Sequence, residues 1–177
     1  MTTALDPPAL RRLMTHWTTG VAVITSRGES GPRGATTNAL TSLSLDPLLV
    51  LVALDRTSNT LAAIRASGLF CINVLAADQE EIARRFATKA SGEEKLAGCA
   101  HELVDGVPVL TGCVAWLTCA LEAELEGGDH AILLGRPREA DATPGRQPLV
   151  FHGGTYHAAS FEESRRADSN RGPLHYE

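Results

Sequence analysis

The stretch from Gly34 to Thr60 admits few folds, because it sets four kinds of local structure in a fixed order. Residues 35–45 are rich in Thr, Ser and Asn, and Asp46–Pro47 is a turn signal. Residues 48–54 are continuously apolar, and Ser58 with Thr60 precedes a run that mixes apolar and polar residues. Proline has no N–H to donate and pushes its predecessor out of the helical region, so no helix passes through this turn. The expectation is a polar strand, a tight turn, a buried strand and a helix N-terminus. The apolar run is far shorter than the ~20 residues that a membrane-spanning helix requires.

The same signals organise the remainder. Asp6, with Pro7 and Pro8 in the first turn, starts a helix whose Leu10, Leu13, Met14 and Trp17 recur at helical spacing; that face is expected to pack on the barrel. Residues 20–26 read as a buried strand and 27–34 as the turn of a hairpin into the Thr36 strand. Residues 58–67 read as a short helix, 69–75 as a strand, and 78–88 as a helix capped by Asp78 and Glu81, with Ile82 and Phe86 on its inner face. A polar loop covers 89–106. Residues 112–125 and 130–139 read as paired strands around Gly127, Gly128, Asp129 and His130, with a last strand near 148–152. Trp17 and Trp116 are expected in the core. The fold class is mainly β (α+β), with six or seven antiparallel strands and peripheral helices in a closed barrel. One domain over residues 1–159 and a charged, aperiodic, flexible tail over 160–177 complete the organisation.

With 177 residues and 44% apolar content, the chain can bury one core and is too short for two ordinary domains. A net charge of -5 argues against nucleic acid and anionic membranes as partners, since both select basic patches. The N-terminus carries acid and proline where a signal peptide needs a basic end and an apolar stretch, so a cytoplasmic location is expected. The four cysteines, at 71, 99, 113 and 119, form neither a CxxC pair nor a zinc-type arrangement with histidine, and no metal is expected. Cys71, Cys113 and Cys119 read as core residues. Cys99 follows a glycine in the polar loop and reads as the reactive thiol.

The chemistry of the Gly34–Thr60 stretch suits a flat, phosphorylated cofactor. Thr36, Thr37, Asn38, Thr41 and Ser42 offer small donors and acceptors, and an amide can give and receive hydrogen bonds along one ring edge. The run at 48–54, with Ala53 inside it, offers an apolar wall. Ser58, Asn59 and Thr60 lie where free helix amides and the helix dipole attract a phosphate; the plainer reading of Ser58 is an N-cap alone.

These residues resemble the signature of the flavin reductase-like family, whose members read like Met-Thr-Ala-Asn-Ser, Thr-Ser, Ser-Leu-Asp-Pro-Pro, then Asp-Arg and Ser-x-Thr. Here the matches are residues 35–39 with Asn38 and Ala39, then Thr41 and Ser42, residues 44–47, Asp55, Arg56, Ser58 and Thr60. The likeness extends to residues 19–25, 67–75 and 128–130, and to Gly154 with Tyr156, spanning roughly 10–158. It departs at Leu40, at Ala39, and at residues 92–95, where Gly-Glu-Glu-Lys replaces Asp-Arg-Phe. The resemblance implies an FMN-binding split barrel of Greek-key type and a homodimer. It also implies hydride transfer from NADH or NADPH to FMN or FAD, with reduced flavin passing to a partner monooxygenase.

His130 is the sharpest candidate for chemistry: adjacent glycines let a planar nicotinamide approach, and the resemblance places this histidine beside the flavin. The alternative is a turn histidine bonded to Asp129. Lys89 reads equally as a phosphate partner and as a solvated lysine at a helix end. Phe86 reads as a ring contact or, preferred, as core. Arg56 clamps a phosphate or pairs at the surface beside Asp55. Tyr156 covers the flavin or finishes the barrel edge. Two further functions stay open: a flavin carrier or redox sensor, and a flavin-dependent oxidoreductase acting directly on an organic substrate.

Overall fold

The computed structural model describes residues 5–29 and 31–159; the expected tail at 160–177 lies outside them. The chain runs α1 (Pro7–Met14), β1 (Thr19–Gly20), β2 (Ala22–Gly28), β3 (Gly31–Thr37), β4 (Leu40–Leu45), β5 (Leu48–Asp55), α2 (Asn59–Ser67), β6 (Leu69–Val74), α3 (Glu80–Phe86) and α4 (Gly92–Leu96). It continues with β7 (His101–Val104), β8 (Val107–Leu110), β9 (Ala115–Gly127), β10 (His130–Ala142), β11 (Leu149–His152) and β12 (Thr155–Ala158).

Seven strands form one antiparallel sheet in the order β3-β2-β6-β9-β10-β5-β4; β1, β11 and β12 form a second sheet, and β7 with β8 a hairpin. The expected antiparallel β architecture is present, but its closure is not. Among the described residues β3 and β4 remain the sheet's edges, joined by the chain at Asn38 and not by a ladder. The β4–β5 hairpin turns at Asp46–Pro47, whose peptide is cis.

Residues 22–26 of β2 are buried on both faces, in keeping with the apolar, non-alternating run at 21–24. Ala22 and Ile24 face a core with Val52, Leu61, Phe70 and Leu133. Val21 and Val23 face another, with Leu75, Phe86, Leu110 and Leu149. Buried Asn73 ties the layers together: its amide donates to Val23 O (3.0 Å) and Thr25 Oγ1 (3.1 Å) and accepts from Leu110 N (2.7 Å).

Several expectations change. Helix α1 buries none of its residues, and Trp17 is 67% exposed. The helical spacing of its apolar residues is real, but Leu10, Leu13, Met14 and Trp17 stay largely exposed among the described residues. Helix α3 starts at Glu80 without a side-chain cap; Asp78 instead pairs with Arg146 (2.5 Å). The polar loop at 89–106 contains α4 and β7. Trp116 is half-buried, packed against Cys71, Val107 and Val109. Cys99 is buried like the other three thiols and takes a hydrogen bond from Arg85 Nη1 at 3.4 Å, so packing overrides its loop-like sequence.

Candidate functional site

A cleft of about 730 Å³ lies between the N-terminus of α2 and the segment joining α3 to α4, with β3 as its floor. Asp55, Ser58, Asn59 and Thr60 line one wall, Lys89, Ser91, Gly92 and Lys95 the other, and Gly34 to Thr36 the floor. A depression of about 170 Å³ shares Thr36 and Ala87 with it and adds Asn38, Phe151 and Tyr156. A further one, of about 270 Å³, shares Thr37 and Asn38 and runs to Trp17.

The corner at Asn38 is fixed from behind. Thr37 Oγ1 donates to Ala53 O (3.3 Å) and accepts from Ala39 N (3.0 Å), and Ala53 N donates to Ala39 O (2.9 Å). Because backbone and Thr37 satisfy the corner, the Asn38 amide stands exposed between the two smaller depressions. Thr36 Oγ1 donates to Ala83 O (2.7 Å), so its proton ties β3 to α3.

At the other end, Ser58 caps α2 by accepting from Thr60 N (3.2 Å). Asp55 shapes the turn before it, taking bonds from Thr57 N (2.7 Å) and Thr57 Oγ1 (2.6 Å). Those bonds hold its carboxyl below the ordinary range, and the charges of His130 and Lys89 act in the same direction. Lys89 is exposed on the opposite wall.

Of the other expected residues, Phe86 and Tyr156 border these depressions, whereas Arg56, Thr41, Ser42 and His130 do not line them. Phe86 is 1% exposed, and a Cβ at Gly34 would meet its ring at 2.5 Å; its preferred core role holds, with the ring supporting the floor beneath Gly34. Arg56 points to the β9–β10 hairpin, toward Gly128 O and Glu126 (3.4 Å each). Thr41 and Ser42 are exposed on edge strand β4, outside these depressions, and Thr41 Oγ1 bonds Ser42 O (3.1 Å). Tyr156 packs edge-on to Phe151 (5.3 Å) and under Arg84 (5.1 Å), and burial raises its phenol pKa. His130 stands opposite Asp55 in the β5–β10 ladder and shares a hydrogen bond with Asp129 (2.7 Å).

The contributors to the cleft missed from sequence include Ser91, Gly92 and Lys95. Ser91 and Glu94 form a full capping box, with Glu94 N donating to Ser91 Oγ (3.2 Å) and Ser91 N to Glu94 Oε2 (2.8 Å). That spacing is legible and would have found α4. No sequence signal marks Lys95 as buried.

The donors present fit a flavin nucleotide: a helix N-terminus and a lysine for phosphate, an outward amide, and apolar Val21, Ala87 and Phe151 around it. Residues 14–160 match the family model described as "Flavin reductase like domain". The chain belongs to the flavin reductase-like family. It is 38% identical to an NADH-dependent FAD reductase of Streptomyces globisporus over 168 residues, covering 92% of each chain. It is also 38% identical to the reductase subunit HsaB of a flavin-dependent monooxygenase from Rhodococcus jostii, covering 86% of this chain and 78% of that one. The solved NADH:FAD oxidoreductase SgcE6 of Streptomyces globisporus superposes with a TM-score of 0.83 at 36% identity, over 90% of this chain and 99% of its own. The same enzyme in complex with NAD and FAD fragments gives a TM-score of 0.82 at 35% identity, over 94% and 100%.

Proposed function

We infer that the cleft and the Asn38 corner together hold FMN or FAD, and that this chain is an NAD(P)H:flavin oxidoreductase. The single observation that carries the assignment is that the cleft at the capped N-terminus of α2 and Lys89 shares Thr36 and Ala87 with the depression that holds the exposed amide of Asn38. The α2 first turn and Lys89 hold the phosphate. Asn38 gives and receives hydrogen bonds along the ring edge, and Val21, Ala87 and Phe151 keep water from one side. The flavin supplies the hydride acceptor for nicotinamide C4, so the protein needs no catalytic triad and contributes orientation. Asp129 fixes the ring of His130, which positions the nicotinamide at the hairpin.

Reduced flavin passes to a monooxygenase, in keeping with relatives that are reductase components of such systems. Residues 1–159 act as one domain, in the cytoplasm, where NAD(P)H is available; no helix among the described residues is long and apolar enough to cross a membrane. The protein works as a homodimer: α1 exposes Leu10, Leu13 and Met14, and the β4–β5 hairpin exposes Leu43, Leu45 and Leu48, apolar surface that a second copy would cover. Sedimentation of a stable monomer overturns the dimer.

The test of function is loss of NADH or NADPH absorbance with and without added FMN, FAD and riboflavin. Saturable, flavin-dependent oxidation is expected, and Asn38→Ala should weaken flavin binding about tenfold, through lost hydrogen bonds of about 0.5–1.5 kcal/mol each. Retained flavin without nicotinamide oxidation would make the chain a carrier. Unchanged flavin affinity in Asn38→Ala would remove the corner from the site.

A further inference from the structure

Lys95 is the one charged side chain among the described residues that is buried, at 7% exposure, and it lines the cleft. Its ammonium donates to Gly34 O (3.1 Å) and Phe86 O (3.2 Å), which uses two of its three N–H groups. Among the described residues no carboxylate lies within ion-pairing distance, although two glutamates precede it. Glu94 is turned back into the capping box, and Glu93 is exposed near Gly31. Asp55, across the cleft, is engaged by Thr57. A buried cation with only carbonyl dipoles for company is costly, and such charges are normally paired. Burial accordingly lowers its pKa.

The α2 N-terminus and Lys89 account for one phosphate. The cleft continues past them to Ser91, Gly92 and Lys95, space and charge that a flavin with a single phosphate leaves unused. We propose that the missing counter-charge is the ligand's second phosphate, and that Lys95 makes this cleft selective for a dinucleotide flavin, FAD, over FMN. The proposal rests on the flavin-reductase reading of the same cleft and adds the class of flavin and the residue that selects it. Lys95 also braces β3 against the end of α3, so a merely structural role has to be separated from recognition.

The experiment compares dissociation constants of FAD, FMN and riboflavin, by fluorescence quenching at fixed ionic strength, for the wild type, Lys95→Gln and Lys95→Arg. Glutamine keeps a donor for the carbonyls without the charge, and arginine keeps the charge. Wild type should bind FAD more tightly than FMN. Lys95→Gln should weaken FAD by about tenfold or more while changing riboflavin little, the loss expected for a hydrogen bond to a charged group. Lys95→Arg should recover most of the FAD affinity. Inorganic pyrophosphate should raise the melting temperature of wild type and not of Lys95→Gln, a readout independent of turnover. Equal wild-type affinity for FMN and FAD overturns the proposal, as does an equal loss for riboflavin in Lys95→Gln. Absence of nicotinamide oxidation with every flavin would instead sink the reductase reading and leave this binding comparison standing.

Discussion

Replacing Gly92 by alanine tests whether the cleft wall is held by close backbone contact. Gly92 opens α4 directly after its cap, and a Cβ there would stand 1.8 Å from Pro32 O and 2.7 Å from Pro32 C. A side chain could swing aside, but β3 is locked in its ladder with β2, so the helix must back away. Two effects oppose each other. Alanine gains at most about 1 kcal/mol over glycine in a helix, and less in the first turn. Overpacking costs roughly 1–3 kcal/mol and sometimes more, and a clash with backbone belongs at the upper end. The net loss is about 2 kcal/mol or more, which lowers the melting temperature by about 4–8 °C in a chain of this size. Retreat of α4 also moves Ser91 and Lys95, so flavin affinity should fall with stability. Thermal unfolding and flavin titration of the same preparation read both. Gly68→Ala is the control: no atom lies within 4 Å of its Cβ, and its left-handed φ of 70° ends α2 on the side away from the cleft's Ser58. It should lose about 1–2 kcal/mol and keep its flavin affinity. A Gly92→Ala protein within ~1 °C of wild type and with unchanged affinity would refute the reasoning, because α4 would then ride over Pro32 without strain.

Asn73→Ala should cost about 2–4 kcal/mol in urea or thermal unfolding, because it orphans the buried Leu110 N–H and Val23 carbonyl; flavin affinity should be unchanged, and a loss under 1 kcal/mol would show that water replaces the amide. Stability should fall at acid pH for a definable reason. Glu94 is held down by the Ser91 N–H and hydroxyl, Asp55 by the Thr57 hydroxyl, and Asp105 by the Arg138 guanidinium. Folded values below the unfolded ones mean that the unfolded chain takes up protons first. Their contribution is therefore complete above the ordinary 4.5 and 3.8, and is lost as pH falls through the folded values. Asp105→Asn should flatten that acid limb in a series of denaturation midpoints; an unaltered limb would exclude Asp105. Native protein should resist a thiol reagent at neutral pH, since all four cysteines are buried and burial pushes Cys113 up to about 11 and Cys119 up to about 12. Rapid native labelling of Cys99 would restore its reactive reading.

The legible part of the molecule is the part written in local sequence. The Asp-Pro turn, the apolar run of β5, the Ser58 cap and the long β9–β10 hairpin each carry their own signal, and each stands where the pattern puts it. Long-range partnering is another matter. The stripe Leu10, Leu13, Met14 and Trp17 has the periodicity of a packed helix, but periodicity says that a face is apolar and not what covers it. Arg56 matched a motif, yet its direction is decided by Glu126 and Gly128 on a hairpin seventy residues away in sequence. Lys95 was invisible because burial of a charged side chain depends on two carbonyls from other elements. Cys99 was misread for the same reason: a glycine neighbour marks a loop, and Phe86, Leu96 and Cys113 decide that the loop is inside.

An open sheet has two edges, and the site follows from how one of them is covered. Unpaired strand edges attract other chains, and proteins blunt them with helices, loops or partners. Here β3 is blunted by α3 and α4: Thr36 bonds Ala83 O, Lys95 bonds Gly34 O, and Gly92 presses on Pro32. Those elements meet the edge at its two ends and leave the space between them open toward the α2 N-terminus, and that space is the cleft. The other edge, β4, has no such cover among the described residues and carries exposed Leu43 and Leu45. The two edges thus differ: one borders the cleft, and the other leaves its leucines exposed. The chain turns from the first to the second at Asn38, so a ring bound at that corner would feel changes at either edge.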